Sequence, residues 1–173
     1  MANKVRFKFN GKLYGKRIYN QVAKEQTERL IEYAKDEIIR IVATREFDDR
    51  THNLADSYLW CVFFNGNRKG FGVYGRKQAR KKSLLHEYSP DMSVPVDGRK
   101  IANDFGRTYT PTVKKGWEIV FAAVAPYGAY LEEGFTFKGH YYHFNVLSQR
   151  YDHIKKVLSP LCEVTLEINT PKY

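Results

Sequence analysis

The residues with chemical potential are few and scattered. His140-Tyr141-Tyr142-His143 sets two imidazoles three residues apart, and His153 lies ten residues on. On one helix face such a pair could begin a zinc site, which needs three or four ligands. No acid or Cys stands at a ligand-like spacing, so no metal is expected. Histidines partly buried against aromatic faces are the reading here. Glu132-Glu133 is a carboxylate pair beside Gly134. Neighbouring residues point to different sides of a helical turn, which makes them poor acid/base partners. A salt bridge or a turn cap fits them better. Cys61, between Trp60 and Val62, reads as a small buried hydrophobe rather than a nucleophile. Gly70-Phe71-Gly72 lacks the third glycine and the helix of a dinucleotide site. There is no P-loop and no Gly-x-Ser-x-Gly. Neither catalysis nor a cofactor is expected.

A second chemical resource is charge. The chain has 173 residues and a formal charge of +10, from 29 Lys+Arg against 19 Asp+Glu. The excess is segregated: residues 1–20 carry +6 and residues 66–115 carry +8, while 21–65 carry −3 and 116–173 carry −1. This reads as two positive appendages on a near-neutral frame. Arg76, Lys77, Arg80, Lys81 and Lys82 could neutralise phosphates, with Tyr74 or Tyr88 stacking on bases. No known nucleic-acid module accompanies them. A solvated loop, or one that docks on an acidic protein surface, is the preferred reading. A nucleic-acid-binding module using 76–115 is the alternative.

Composition bounds the class. Hydrophobic residues are 43% and aromatics 15% of the chain, enough for a core. One domain over 1–173 is expected. No apolar run nears the ~18 residues of a transmembrane helix, so no membrane partner is expected. The start, Met-Ala-Asn-Lys-Val-Arg-Phe, lacks the apolar stretch of a signal peptide. Two cysteines, Cys61 and Cys162, make no disulfide framework. A soluble protein made in a cytoplasm is expected.

The elements that would position these residues follow from periodicity. Residues 1–18 form a basic arm, in which Val5-Arg6-Phe7-Lys8-Phe9 alternates like a half-buried strand. Asn10-Gly11 and Gly15 read as turns. A helix is expected over about 19–46, with Val22, Leu30, Ile31, Ala34, Ile38 and Ile41 at helical spacing. Residues 57–65 are aromatic and β-prone, and Asn65-Gly66-Asn67 is a hairpin turn leading to Phe71–Tyr74. Together, 19–75 reads as a helix plus a β-hairpin. Residues 76–115 read as a long basic insertion loop, with a short helix near 78–87. Over 116–173, a central strand (Trp117–Ala125), a helical turn (128–133), a helix (142–158) and a last strand (Leu161–Ile168) are expected. The second helix would present Phe144, Leu147, Tyr151, Ile154 and Leu158. The fold class is therefore α+β: an antiparallel β-sheet packed against a long N-terminal helix and a second C-terminal helix, with the helices on one face.

Two short stretches carry a family resemblance. Thr51-His52-Asn53-Leu54-Ala55-Asp56-Ser57 resembles the Thr-Gly-Asn-Leu-x-x-Ser element of a family of tailed-bacteriophage neck, head–tail joining, tail-completion or minor tail proteins. Ala125-Pro126-Tyr127-Gly128-Ala129-Tyr130-Leu131-Glu132-Glu133-Gly134 is similar to that family's Tyr-Ala-x-Tyr-Val-Glu-x-Gly element. The resemblance spans roughly 20–75 and 116–170, with both helices in matching order. His52 departs from the usual Gly, Phe135 stands where a Thr often follows, and 76–115 has no counterpart.

The resemblance implies a structural virion protein without catalysis, assembled in a bacterial cytoplasm. It would form a ring at the head–tail junction. Its partners would be copies of itself, a portal or adjacent connector protein, tail proteins, and DNA in the channel. Twelve copies are implied for a portal-side connector and six for a tail-completion ring, with twelve preferred. Within this reading, Thr51 or Asn53 bonds the backbone at a turn, Leu54 enters the core and Ser57 opens a strand. Pro126 ends ladder pairing and Gly134 takes a positive φ. Tyr127, Tyr130, Glu132 and Glu133 would face a neighbour. Val5, Phe7 and Phe9 could add a strand to another subunit's sheet. Arg76, Lys77, Arg80, Lys81 and Lys82 would reach an adjacent subunit.

Overall fold

The computed structural model describes residues 11–44, 53–74, 97–125, 128, 131, 133–144, 147–158 and 160. Helix α1 runs over Gly11–Ala43, longer than the apolar pattern from residue 19 implies. Gly15 lies inside it rather than in a turn. A helical Gly costs only about 1 kcal/mol against Ala, and the surrounding Lys and Arg residues are good helix formers. Packing begins further along. Ala23, Thr27, Leu30, Ala34, Ile38 and Ile41 are buried and recur every three or four residues. Val22 is not part of this stripe and is exposed.

A short turn of helix, α2 (Asn53–Asp56), leads into strand β1 (Tyr58–Phe64). The hairpin to β2 (Asn67–Val73) turns on Asn65 and Gly66 at φ 51° and 73°. Positive φ at both central residues matches the right-handed twist of paired strands, which is why Asn-Gly is favoured there. Strand β3 (Trp117–Ala123) pairs with the other edge of β1, giving an antiparallel sheet of order β2-β1-β3. Asn65 ties the three strand ends together: its N–H donates to the Gly116 carbonyl (2.8 Å) and its Oδ1 accepts from the Gly116 N–H (2.8 Å).

Strand β1 alternates between two cores. Tyr58, Trp60 and Val62 face α1, in a cluster with Leu30, Ala34, Ile38 and Ile41. Leu59, Cys61 and Phe63 face the opposite way. That second face is covered by α3 (Gly98–Thr108), which lies within the stretch expected to be a loop. The α+β class with an antiparallel sheet stands. The helices, however, are not confined to one face. Residues 75–96, with the short helix expected near 78–87, are outside the described residues.

The sequence around α3 explains its formation. The Asp97 carboxylate accepts from the Lys100 N–H (3.0 Å), an N-cap. Gly98, Ala102 and Gly106 form a buried stripe of small residues one turn apart. They let the helix lie close to the sheet. A Cβ at Gly106 would collide with the Phe71 ring of β2. Trp60 makes the same demand on the other face, where its indole lies against Gly70 and Gly72.

Beyond the sheet, β4 (Phe135–Phe137) and β5 (His140–Tyr142) form a separate two-stranded hairpin. The helix expected over 142–158 is thus shorter: α4 spans Ser148–Leu158, with Ile154 and Leu158 buried on the α1 side of the sheet. Val5–Phe9 and Leu161–Ile168 lie outside the described residues.

In an open helix, Gly→Ala stabilises by up to about 1 kcal/mol. At Gly106 the sign should reverse. Gly106→Ala is expected to lower stability by about 1–3 kcal/mol, an overpacking effect. Adding Phe71→Leu should recover part of that loss. Urea unfolding of the single and double variants tests this, and a more stable Gly106→Ala protein would show that α3 does not sit against β2.

Candidate assembly interface

The two motif stretches, some seventy residues apart in sequence, meet at one corner of the fold. In the first, α2 turns the chain so that Leu54 and Ala55 drop into the core beside α1. Ser57 fastens the turn, donating from its N–H (3.0 Å) and its Oγ (2.8 Å) to the Leu54 carbonyl. The second stretch leaves β3 here. The Val124 N–H donates to the Ser57 carbonyl at 3.3 Å, and the Gly128 N–H to the Ala125 carbonyl at 2.8 Å. Gly128 is buried, and a Cβ on it would sit 3.2 Å from Leu54 Cδ1. An alanine there would require Leu54 to give by a few tenths of an ångström. Leu54 is thus buried in the core, and Ser57 directly precedes β1.

The chain then reaches Gly134, whose φ of 83° is the left-handed conformation anticipated for it. It opens into the β4–β5 hairpin, which turns on Lys138 and Gly139. The Tyr141 hydroxyl donates to the Glu133 carbonyl (3.0 Å), so the hairpin folds back on the turn that launches it. Glu133 is exposed, as is the ring of Tyr141. Thr51, Pro126, Tyr127, Tyr130 and Glu132 lie outside the described residues, and nothing is described of the Asn53 side chain. Val5, Phe7, Phe9, Arg76, Lys77, Arg80, Lys81 and Lys82 also lie outside them.

His140 falls on β5 and His143 just after it, both exposed, instead of partly buried on a helix. A strand and its continuation do not offer the i,i+3 proximity of a helical turn. Among the described residues, no three His, Cys, Asp or Glu side chains converge as metal ligands. No described helix is long and apolar enough to cross a membrane.

One surface feature was not anticipated by the apolar pattern. The first three turns of α1 overhang the core: Lys12 and residues 15–22 are all exposed. Ile18, Tyr19 and Val22 stand out there as large apolar side chains about half exposed. The signal was present in phase, since Lys12, Lys16 and Tyr19 continue the 3/4 spacing of Ala23 and Leu30. A search for apolar periodicity passes over it because the residues are basic. Further along the helix, an open depression of about 430 Å³ has Glu25, Glu28, Arg29 and Glu32 in its lining.

The buried charge serves the frame. Glu37 of α1 is fully buried and accepts from Arg150 Nε of α4 at 2.8 Å; Arg40 Nη1 is at 3.5 Å. The hydrogen bond to Glu37 raises the Arg150 pKa; burial opposes this and the Glu37 charge adds to it. Cys61 is equally enclosed, and desolvation pushes its thiol pKa up to about 11. A thiol held protonated in a closed core is no nucleophile.

The chain matches no family model, no curated protein and no solved structure.

Two measurements check this geometry. Arg150→Met should destabilise the fold by about 3 kcal/mol, because a buried carboxylate loses its close partner. Arg40→Met, on an exposed side chain at the longer distance, should cost under about 1 kcal/mol. Equal losses in chemical unfolding would contradict the division of labour. In a Cys162→Ser background, Cys61 should resist a thiol reagent until denaturant is added. Because its folded pKa is raised, the neutral thiol's stabilising contribution is complete below about 9 and is lost as pH climbs to about 11.

Proposed function

We propose that this chain is a structural protein of a tailed-phage virion, forming a ring at the head–tail junction as a neck, connector or tail-completion component. One observation carries the reading. The two stretches that resemble the phage family do not lie apart in the fold but build a single corner, with Leu54 against Gly128 and Ser57 bonded to both the first stretch and the residue before the second. The described parts of both stretches lie where β1 begins and β3 ends, side by side in the sheet.

The physical character of the surface agrees with assembly. Exposed apolar side chains lie at Ile18, Tyr19, Val22 and Ile39 on α1 and at Tyr141 on the hairpin. A ring copies one heterologous contact around an axis, so each subunit must offer two different surfaces. The exposed faces of α1 and the exposed β4–β5 hairpin supply candidates. The charge of +10 then serves assembly first and DNA in the channel second.

The purified full chain, alone and with a portal or tail partner, should sediment far above a 20.3 kDa monomer. Micrographs should show annular particles with cyclic symmetry, twelvefold by preference. A strict monomer at every concentration, with or without those partners, would end this reading.

A further inference from the structure

We propose that the subunits join through α1 in a lap joint: the basic overhang of one copy lies on the acidic outer ridge of α1 in the next. This rests on the ring reading above.

Helical phase makes the case. Lys12, Lys16 and Tyr19 fall on the same line as the buried Ala23, Thr27, Leu30 and Ala34. They therefore lie on the sheet side of the helix, yet they are exposed, beyond the cover of the described sheet. The helix rises about 18 Å over Gly11–Val22, at 1.5 Å per residue, and Lys12 and residues 15–22 along it are exposed. The stretch carries Lys12, Lys16 and Arg17 and no acid.

The opposite side of α1 has the complementary character. Val22, Glu25, Arg29, Glu32, Asp36 and Ile39 follow the outer line at 3/4 spacing, with Glu28 beside it, and all are exposed. The ridge is apolar at its ends and acidic between them. Lys35 meets Glu32 (2.7 Å) and Lys24 approaches Glu28 (3.9 Å). Glu25 and Asp36 have no cation within ion-pair distance among the described residues.

The placement of the two patches selects the symmetry. They sit on opposite sides of one helix. A twofold pair would press like faces together and could not bring Lys12 and Lys16 against the ridge. A head-to-tail contact does so at every step, leaving one overhang and one ridge for the next copy, which is what a closed ring requires. Tyr19 would bring aromatic area to the acidic strip, where a ring edge and long Lys stems both pack well.

Charge exchange tests it. The variants are Lys12→Glu/Lys16→Glu, Glu25→Lys/Glu32→Lys, and all four together, in the full-length chain. Every site is exposed, so thermal melts should stay close to wild type. Sedimentation across a concentration series should show wild-type self-association that weakens with salt. Each pair alone should weaken it about tenfold or more, and the four-site exchange should restore it. Association that ignores both exchanges, or that fails to return in the combined variant, overturns the lap joint while leaving the ring reading intact. A wild type that stays monomeric both alone and with a portal or tail partner overturns both. So does a monomer in which Lys12 and Lys16 serve only to bind duplex DNA.

Discussion

The structure depends on one constraint: β1 is apolar on both faces. Tyr58 to Phe63 are all buried, alternating toward α1 and toward α3. A strand of this kind cannot rest on water with either face, so it must be central and must be covered twice. Its flanks follow from that need. Strand β2 closes one edge through an Asn-Gly turn, and β3 closes the other. Helix α1 covers the first face with a long apolar stripe. Helix α3 covers the second with small residues, because the Phe71 ring already fills much of the space there. Burial of this kind, at about 25 cal/mol per Å² of apolar surface, is what chiefly holds such a domain together.

Polar contacts then fix how the layers meet. The Glu37–Arg150 pair links α1 to α4 across 113 residues of sequence. Trp117 Nε1 donates to Thr27 Oγ1 at 2.9 Å, which pins the start of β3 to α1. Glu118 gathers the loop after α3, accepting from the Tyr109 hydroxyl and the Val113 N–H at 2.7 Å each. These bonds add less to stability than burial does, but they have geometry, and burial does not. The layers could slide without them. The motif corner belongs to the same class: Ser57 and Gly128 set an angle between β1, β3 and the turn that follows.

That rigid frame leaves its chemistry on the outside. Among the described residues, the buried Glu37 is engaged by Arg150 and the buried Cys61 is enclosed in the second core cluster. What the molecule offers to its surroundings is shape and charge: an overhanging helix end, an acidic ridge and an aromatic hairpin. Surfaces of that kind recognise other macromolecules by complementarity. The proposed assembly role rests on surfaces of this kind.

The elements whose signals are local were legible in the residues alone. The 3/4 spacing of Leu30, Ala34, Ile38 and Ile41 defined α1, the aromatic run at 58–64 defined β1, and Asn65-Gly66 defined the hairpin between β1 and β2. The bend at Leu54–Ser57 and the positive φ at Gly134 were also legible, since both rest on residue types with short-range preferences. Tertiary structure decided the rest. Helix α3 has local signals of its own, the Asp97 cap and the 3/4 spacing of Ala102, Phe105 and Tyr109, but they are short and lie in a basic stretch broken by Gly and Pro; only the sheet it covers makes Gly98 and Gly106 interior. The overhang of α1 was equally hidden, since a helix looks the same in sequence whether or not a sheet lies beneath it. The closer partner of Glu37, Arg150, sits on another helix, and no local spacing encodes it. Short-range preferences are written in neighbouring residues, whereas burial is a property of what the rest of the chain brings near.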